Sequence, residues 1–265
     1  MSLLGKLLVL LVLGYGVYGV VMVAIHKRYI YPFDQTVFDH PAFTPVEIAV
    51  AGASPLPAYV AKGAPDAPVI VYFMGNGGSL DLFRSILDYH LGQGASVVAM
   101  SYRGGGGTPG PTSEAQLKKD ALALMDALPG LGFEDPPLVH GYSLGTGVAV
   151  HVAARREVAA VLLSAPYDRL CTLLAQASYL PACWLPGVEK WRSADDLGGI
   201  NAPVTILHGD LDALIPQVRS EGLKEAMEGA GIEVMRAVIA GANHVDLMAF
   251  SDYLAALDAF WADHL

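Results

Sequence analysis

Three side chains, widely separated in the chain, have the types and the order that acyl transfer requires: Ser143 in GYSLG, Asp212 in HGDLD and His244 in GANH. A hydroxyl attacks a carbonyl carbon poorly unless a positioned base removes its proton. An imidazole serves best when a carboxylate fixes its tautomer. With 29 glycines in 265 residues, about 0.16 Gly-x-Ser-x-Gly matches arise by chance, so the pentapeptide carries weight only through its setting. That setting is the apolar PLVHGYS, which reads as a strand, followed by the helical pattern LGTGVAVHVAARR. A sharp strand-to-helix turn crowds backbone against neighbouring strands, hence Gly141 and Gly145, and the helix N-terminus favours developing negative charge.

His244 follows the strand pattern VMRAVIAG and opens the last helical stretch, the place from which an imidazole would reach the turn. The other histidines fit less well: His26 flanks an apolar segment, His40 lies in a proline-rich lead, His90, His151 and His264 sit in helical patterns, and His140 and His208 end strands. Asp212 is the expected orienting acid, with Asp210 next and Asp168 as a displaced alternative; Asp246 is two positions from His244 on the expected helix and faces elsewhere. Asp210 and Asp212 also suit turn and capping roles, and a metal site of His208, Asp210 and Asp212 lacks further ligands. Two amides should hold the oxyanion: Leu144 N–H, just after the nucleophile, and Asn76 N–H in MGNGGS. RGGGGTPG at 103–110 lacks the Gly-Lys-Ser/Thr ending of a phosphate cradle.

The elements that must carry these residues are short apolar runs alternating with helical patterns. VEIAV and LPAYVA read as an opening hairpin; VIVYFMG, ASVVAMSYRG, PLVHGYS, VAAVLLSAP, PVTILHG and EVMRAVIAG read as strands buried on both faces. SLDLFRSILDYHLGQG, PTSEAQLKKDALALMDALPG, QVRSEGLKEAMEG and the final VDLMAFSDYLAALDAFWADHL supply helices, and Ser113 with Gln116 forms a capping-box pattern. Such alternation predicts an α/β fold, a mostly parallel central sheet with helices on both faces and ligands beyond the strands' carboxyl ends. Residues 166–194 are long for a connection and rich in Leu, Tyr and Trp, as a cap would be, although core packing explains the same composition.

Hydrophobic residues make up 53% of the chain, high for a freely soluble domain, and most of the excess lies in the charge-free segment 7–25, which would reach ~28 Å as a helix. Residues 1–30 are expected to be a membrane anchor that binds lipid through one N-terminal transmembrane helix; a cleaved signal peptide should be shorter and end in small residues. Basic residues flank the segment on both sides, so orientation stays open. Residues 31–265 suffice for one large domain. That part carries 13 basic against 26 acidic residues, which excludes nucleic acid as a partner. Cys171 and Cys183 are expected as free buried thiols, ~18 Å apart on one continuous helix, unless Pro181 turns the chain back.

Together these motifs resemble the α/β-hydrolase superfamily over residues 46–265, and its small membrane-anchored branch in particular. The resemblance rests on the N-terminal helix, MGNGG, SYRGGGGTPGPTSE, GYSLG, HGDLD and GANH. The branch usually has histidine where this chain has Met74, a change compatible with a backbone oxyanion donor. The resemblance implies an α/β-hydrolase fold and hydrolysis of esters or thioesters, with neither metal nor organic cofactor. A small-molecule, lipid-like or acylated substrate is expected. A peptidase or lactonase on the same fold and a catalytically silent membrane-anchored interaction protein are the competing readings.

Overall fold

The computed structural model describes residues 2–264. It opens with a helix, α1 (Leu3–Ile30), longer than the charge-free segment that predicts it; the Ser2 side chain caps it by accepting from Gly5 N–H. An extended lead then reaches β1 (Thr44–Ile48) and β2 (Leu56–Ala61), which form the expected antiparallel hairpin. The remaining strands are β3 (Val69–Phe73), β4 (Ser96–Met100), β5 (Leu138–Tyr142), β6 (Ala160–Ser164), β7 (Val204–Gly209) and β8 (Val234–Ile239). They join one sheet in the order β1-β2-β4-β3-β5-β6-β7-β8, antiparallel at β1-β2 and β2-β4 and parallel from β4 to β8. The chain passes from β3 outward to β4 and then back across β3 to β5. The sheet's topological switch therefore lies between β3 and β5, where ligands gather in this architecture.

β3, β4, β5 and β6 are buried at every position, as near-continuous apolar runs require. β8 is an exception to the expected two-sided burial: as an edge strand it leaves Met235 and Val238 exposed. The helices are α2 (Arg84–Gly92), α3 (Glu114–Ala127), α4 (Leu144–Ala153), α5 (Leu170–Ser178), α6 (Val218–Gly229) and α7 (Ser251–Ala262). Alternation along β5 assigns two of the layers. An added Cβ on Gly141 would strike Gly145 and Thr146 of α4, whereas His140, one residue earlier, points the other way to His90 of α2, which in turn meets Trp261 of α7.

Two further expectations need correction. The last helix begins at Ser251, so His244 sits in the loop before it rather than at its start. Cys171 and Cys183 are not free thiols but a disulfide, with Cα atoms 4.9 Å apart. One continuous helix would have separated them, but α5 stops at Ser178, Tyr179 adopts a left-handed conformation (φ 56°), and Pro181 helps fold the chain back. The Ser113 cap forms, accepting from Gln116 N–H at 3.1 Å, while the Gln116 amide turns to Asp120 instead of completing a capping box.

The glycine-rich 103–110 loop is held from beneath by a buried ion pair. Arg103 donates to both carboxylate oxygens of Asp120 at 2.9 and 3.1 Å and to Ser54 Oγ and O at 2.7 Å. Replacing Arg103 by Met would strand a buried carboxylate. The Arg103→Met variant should lose about 3–5 kcal/mol of stability, read by chemical denaturation of the purified protein.

Candidate active site

Ser143, Asp212, His244 and Asn76 all follow strand carboxyl ends, those of β5, β7, β8 and β3, so the parallel sheet delivers them to one edge. Ser143 bridges β5 and α4 with φ 51° and ψ −117°, a strained conformation for a residue with a side chain, and its N–H is tied to Ser164 O at 2.8 Å. The neighbouring glycines have a direct steric reason. A Cβ on Gly145 would lie 2.0 Å from Phe73 O at the end of β3, one on Gly141 would lie 2.5 Å from Gly145 O, and one on Gly147 would meet the Tyr167 hydroxyl at 2.3 Å.

His244 Nε2 lies 2.8 Å from Ser143 Oγ, and its Nδ1 lies 2.7 Å from Asp212 Oδ2. A carboxylate only accepts, so Nδ1 carries the proton and donates; Nε2 of the neutral ring then accepts from the serine hydroxyl. The other Asp212 oxygen accepts from Leu214 and Ile215 N–H at 3.0 and 2.7 Å. Burial pushes the Asp212 carboxyl upward, but hydrogen bonds from His208, His244 and the Ile215 amide, with the field of His244, outweigh it. The group ends well below the ordinary carboxylate range and is ionised at neutral pH.

The alternative acids lie elsewhere. Asp210 accepts from Gly241 N–H at 2.6 Å and ties together the loops after β7 and β8. Asp168 faces Arg219 at 3.4 Å, and Asp246 accepts from Asn243 N–H and Nδ2 within the His244 loop. Asn76, Ser143 and Leu144 border one cavity, and an added Cβ on Gly75 would lie 3.4 Å from Ser143 Cβ, so the loop after β3 packs against the serine. Met74 is buried, with its carbonyl accepting from the Tyr102 hydroxyl at 2.8 Å, which secures that loop without the histidine usual in the resembled branch.

Four supporting residues escaped the sequence reading. The Tyr142 hydroxyl donates to His244 O at 2.6 Å, fixing the histidine loop from the residue before the serine. His208 donates from Nε2 to Ile215 O at 2.8 Å, with Asp212 at 3.3 Å, and so braces the acid's turn. Tyr29 and Ile30 of α1 line the cavity beside Ser143. None of these has a spacing signal; each depends on the tertiary arrangement.

Behind the serine runs a buried polar file. Trp261 Nε1–H donates to His90 Nδ1, so His90 Nε2–H donates to His140 Nδ1 at 2.9 Å, and His140 Nε2–H to Ser164 Oγ at 2.9 Å. Burial lowers both imidazoles, His90 to about 3, keeping them neutral. Ser164, whose carbonyl holds Ser143 N–H, is thereby fixed on both sides, since its hydroxyl also bonds the Tyr253 hydroxyl at 2.7 Å.

Two cavities meet at Ser143. One, of about 540 Å³, is walled by Leu170, Leu173, Leu174, Ala177, Leu214 and Ile215; the other, of about 330 Å³, is bounded by Phe83, Tyr142, His244 and Met248. Among the described residues, no group of three or more His, Cys, Asp or Glu side chains is arranged to hold a metal ion.

A family model described as alpha/beta hydrolase fold matches residues 68–190. The chain belongs to the α/β-hydrolase superfamily. It is 32% identical over 186 residues to an uncharacterized protein of Mycobacterium tuberculosis, covering 68% of this chain and 63% of that protein. It is 29% identical over 182 residues to the lysophosphatidylserine lipase ABHD12 of Rattus norvegicus, 58% of this chain and 44% of the lipase. The chain thus spans less than two thirds of the length of these curated relatives. The esterase Pf2001 of Pyrococcus furiosus superposes with a TM-score of 0.70 over 87% of this chain and 96% of that one, a likeness of fold at 16% identity.

The steric reading of the turn is testable by two glycine substitutions. Gly145→Ala should lose about 3 kcal/mol or more, because its methyl group meets backbone that cannot swing away. Gly198→Ala, which meets nothing within 4 Å, should stay within about 0.5 kcal/mol of the parent in the same denaturation measurement.

Proposed function

We propose that this chain is a membrane-tethered serine hydrolase that cleaves carboxylic ester or thioester bonds of lipid-like or acylated substrates. The observation that carries the reading is the unbroken Ser143–His244–Asp212 hydrogen-bond chain, at 2.8 and 2.7 Å, beside an apolar cavity of about 540 Å³. His244 takes the hydroxyl proton as Ser143 Oγ attacks the carbonyl carbon, and Asp212 steadies the imidazolium. Leu144 and Asn76 N–H groups receive the oxyanion. Collapse of the tetrahedral species breaks the ester or thioester bond, and His244 returns the proton to the departing alcohol or thiol. Water, deprotonated by His244, then attacks the acyl-serine and releases the acid.

Supporting the substrate class, the cavity wall is built of leucine, alanine and isoleucine, and relatives include proteins named as a lysophosphatidylserine lipase and an esterase. α1 is the one helix among the described residues long and apolar enough to cross a membrane, and it supports residues 1–30 as an anchor followed by one hydrolase domain at 31–265. Segment 166–194, with α5 over the cavity, acts as its cap. The Cys171–Cys183 bond favours a domain on the oxidising side of that membrane.

Ser143→Ala should abolish labelling by a fluorophosphonate and lower short-chain nitrophenyl ester turnover by about 10³-fold or more; a variant that still labels and cleaves normally removes Ser143 from the mechanism. In an acyl-chain series on the parent protein, kcat/KM should climb roughly fourfold per added CH₂ while the chain still enters the cavity. A flat series from acetyl upward would deny the cavity an acyl-binding role.

A further inference from the structure

The geometry points to a cap turn, residues 178–188, that is immersed in the bilayer beside α1, and to an acyl-chain portal between them that leads from the membrane interior to Ser143. The inference rests on the serine hydrolase reading for its chemistry and on separate observations for its geometry.

The first observation is one of length. From Tyr15 onward α1 lies along the cap, with Tyr15 and Tyr18 bonded to it and an added Cβ on Gly19 in contact with Leu180. Only Leu3–Gly14 projects free, 12 residues or ~18 Å, whereas a hydrocarbon core is ~30 Å thick. A span of about 20 residues must therefore include the part of α1 that the cap accompanies.

Charge is the second. Residues 7–25 of α1 and 170–188 of the cap are both free of charged side chains. Both stretches end at the same level: Lys27 pairs with Glu189 at 2.9 Å, and His26 Nε2 accepts from Glu189 N–H at 3.0 Å. An interface drawn there leaves the turn on the apolar side. Tyr179 and Trp184, 86% and 88% exposed, project from it.

The third is the treatment of the backbone. Carbonyls at a helix end and in a turn normally bond to water; in lipid each needs a donor from the protein. The Tyr15 hydroxyl donates to Tyr179 O at 2.7 Å and the Tyr18 hydroxyl to Ser178 O at 2.9 Å. The Lys190 ammonium donates to Ala182 O and Leu185 O at 2.7 and 2.5 Å, and Arg192 to Cys183 O at 2.8 Å. Five turn carbonyls are thus satisfied by side chains, two of them from within the expected span.

Between α1 and the turn lies an apolar cavity of about 240 Å³, bordered by Met22, Val23, Leu180, Leu185 and Val188. It shares Tyr29, Leu174 and Ala177 with the cavity at Ser143, so the two adjoin. A lipid acyl chain could pass from bilayer to nucleophile along this wall without crossing water.

The test uses the full-length protein in phosphatidylcholine nanodiscs. Trp191 and Trp261 are buried, so the emission difference between the parent and Trp184→Phe isolates residue 184. That difference should fall by more than half when the lipid chains carry bromine and should resist aqueous iodide. Quenching by iodide, or shielding from both quenchers as a protein partner would give, overturns immersion. For the portal, the ratio of vesicle-embedded monoacyl lipid turnover to soluble short-ester turnover should drop at least threefold in the doubly charged variant Tyr179→Lys/Trp184→Lys; a smaller drop overturns it. Absence of turnover in the parent would refute the hydrolase reading and leave the quenching result standing.

Discussion

The arrangement of the site depends on how closely the turn after β5 packs against β3. At Gly145 there is no room for one further carbon atom beside the Phe73 carbonyl, and Ser143 holds a backbone conformation that side-chain-bearing residues seldom adopt. That strain persists because its surroundings over-determine it: Ser143 N–H is bound to β6, Ser164 is clamped by His140 and Tyr253, and α4 packs over Gly141. The proposed nucleophile is thereby presented by a rigid scaffold, and the residues brought to it from β7 and β8 need only reach a fixed point.

A second level of organisation joins the helix to the domain. Glu189 receives the Tyr31 hydroxyl at 3.0 Å and pairs with Lys27, while Glu114 at the start of α3 receives the Lys190 and Trp191 amides at 2.9 and 2.8 Å. Trp191 Nε1–H donates in turn to the Tyr31 hydroxyl at 2.9 Å. Burial, followed by the Glu189 charge, raises the Tyr31 phenol far above its ordinary value, so it stays a neutral donor at any physiological pH. The junction binds α1, the irregular segment 189–191 and α3 into one unit.

Much of this was legible in the sequence because it follows from local chemistry. Apolar runs marked all eight strands, glycine spacing marked the turn, and chain order pointed to Asp212 and His244, which the fold brings into line with Ser143. What stayed hidden depends on meetings between distant segments. The half-exposed β8 reflects its edge position, which strand composition does not encode. The cysteines looked too far apart because their helical segment was extended past Ser178, where a left-handed Tyr179 stops it. Tyr142 and His208 support the site through a hydroxyl and a ring nitrogen aimed at carbonyls, contacts that no motif records.

The tail end of α1 is part of the domain it leads into. Tyr29 and Ile30 form part of the wall beside Ser143, and Ile30 is buried in the domain core. A body cut free at residue 31 would accordingly be a different object from the intact chain. It would have a breached side, and its selectivity would describe the breach.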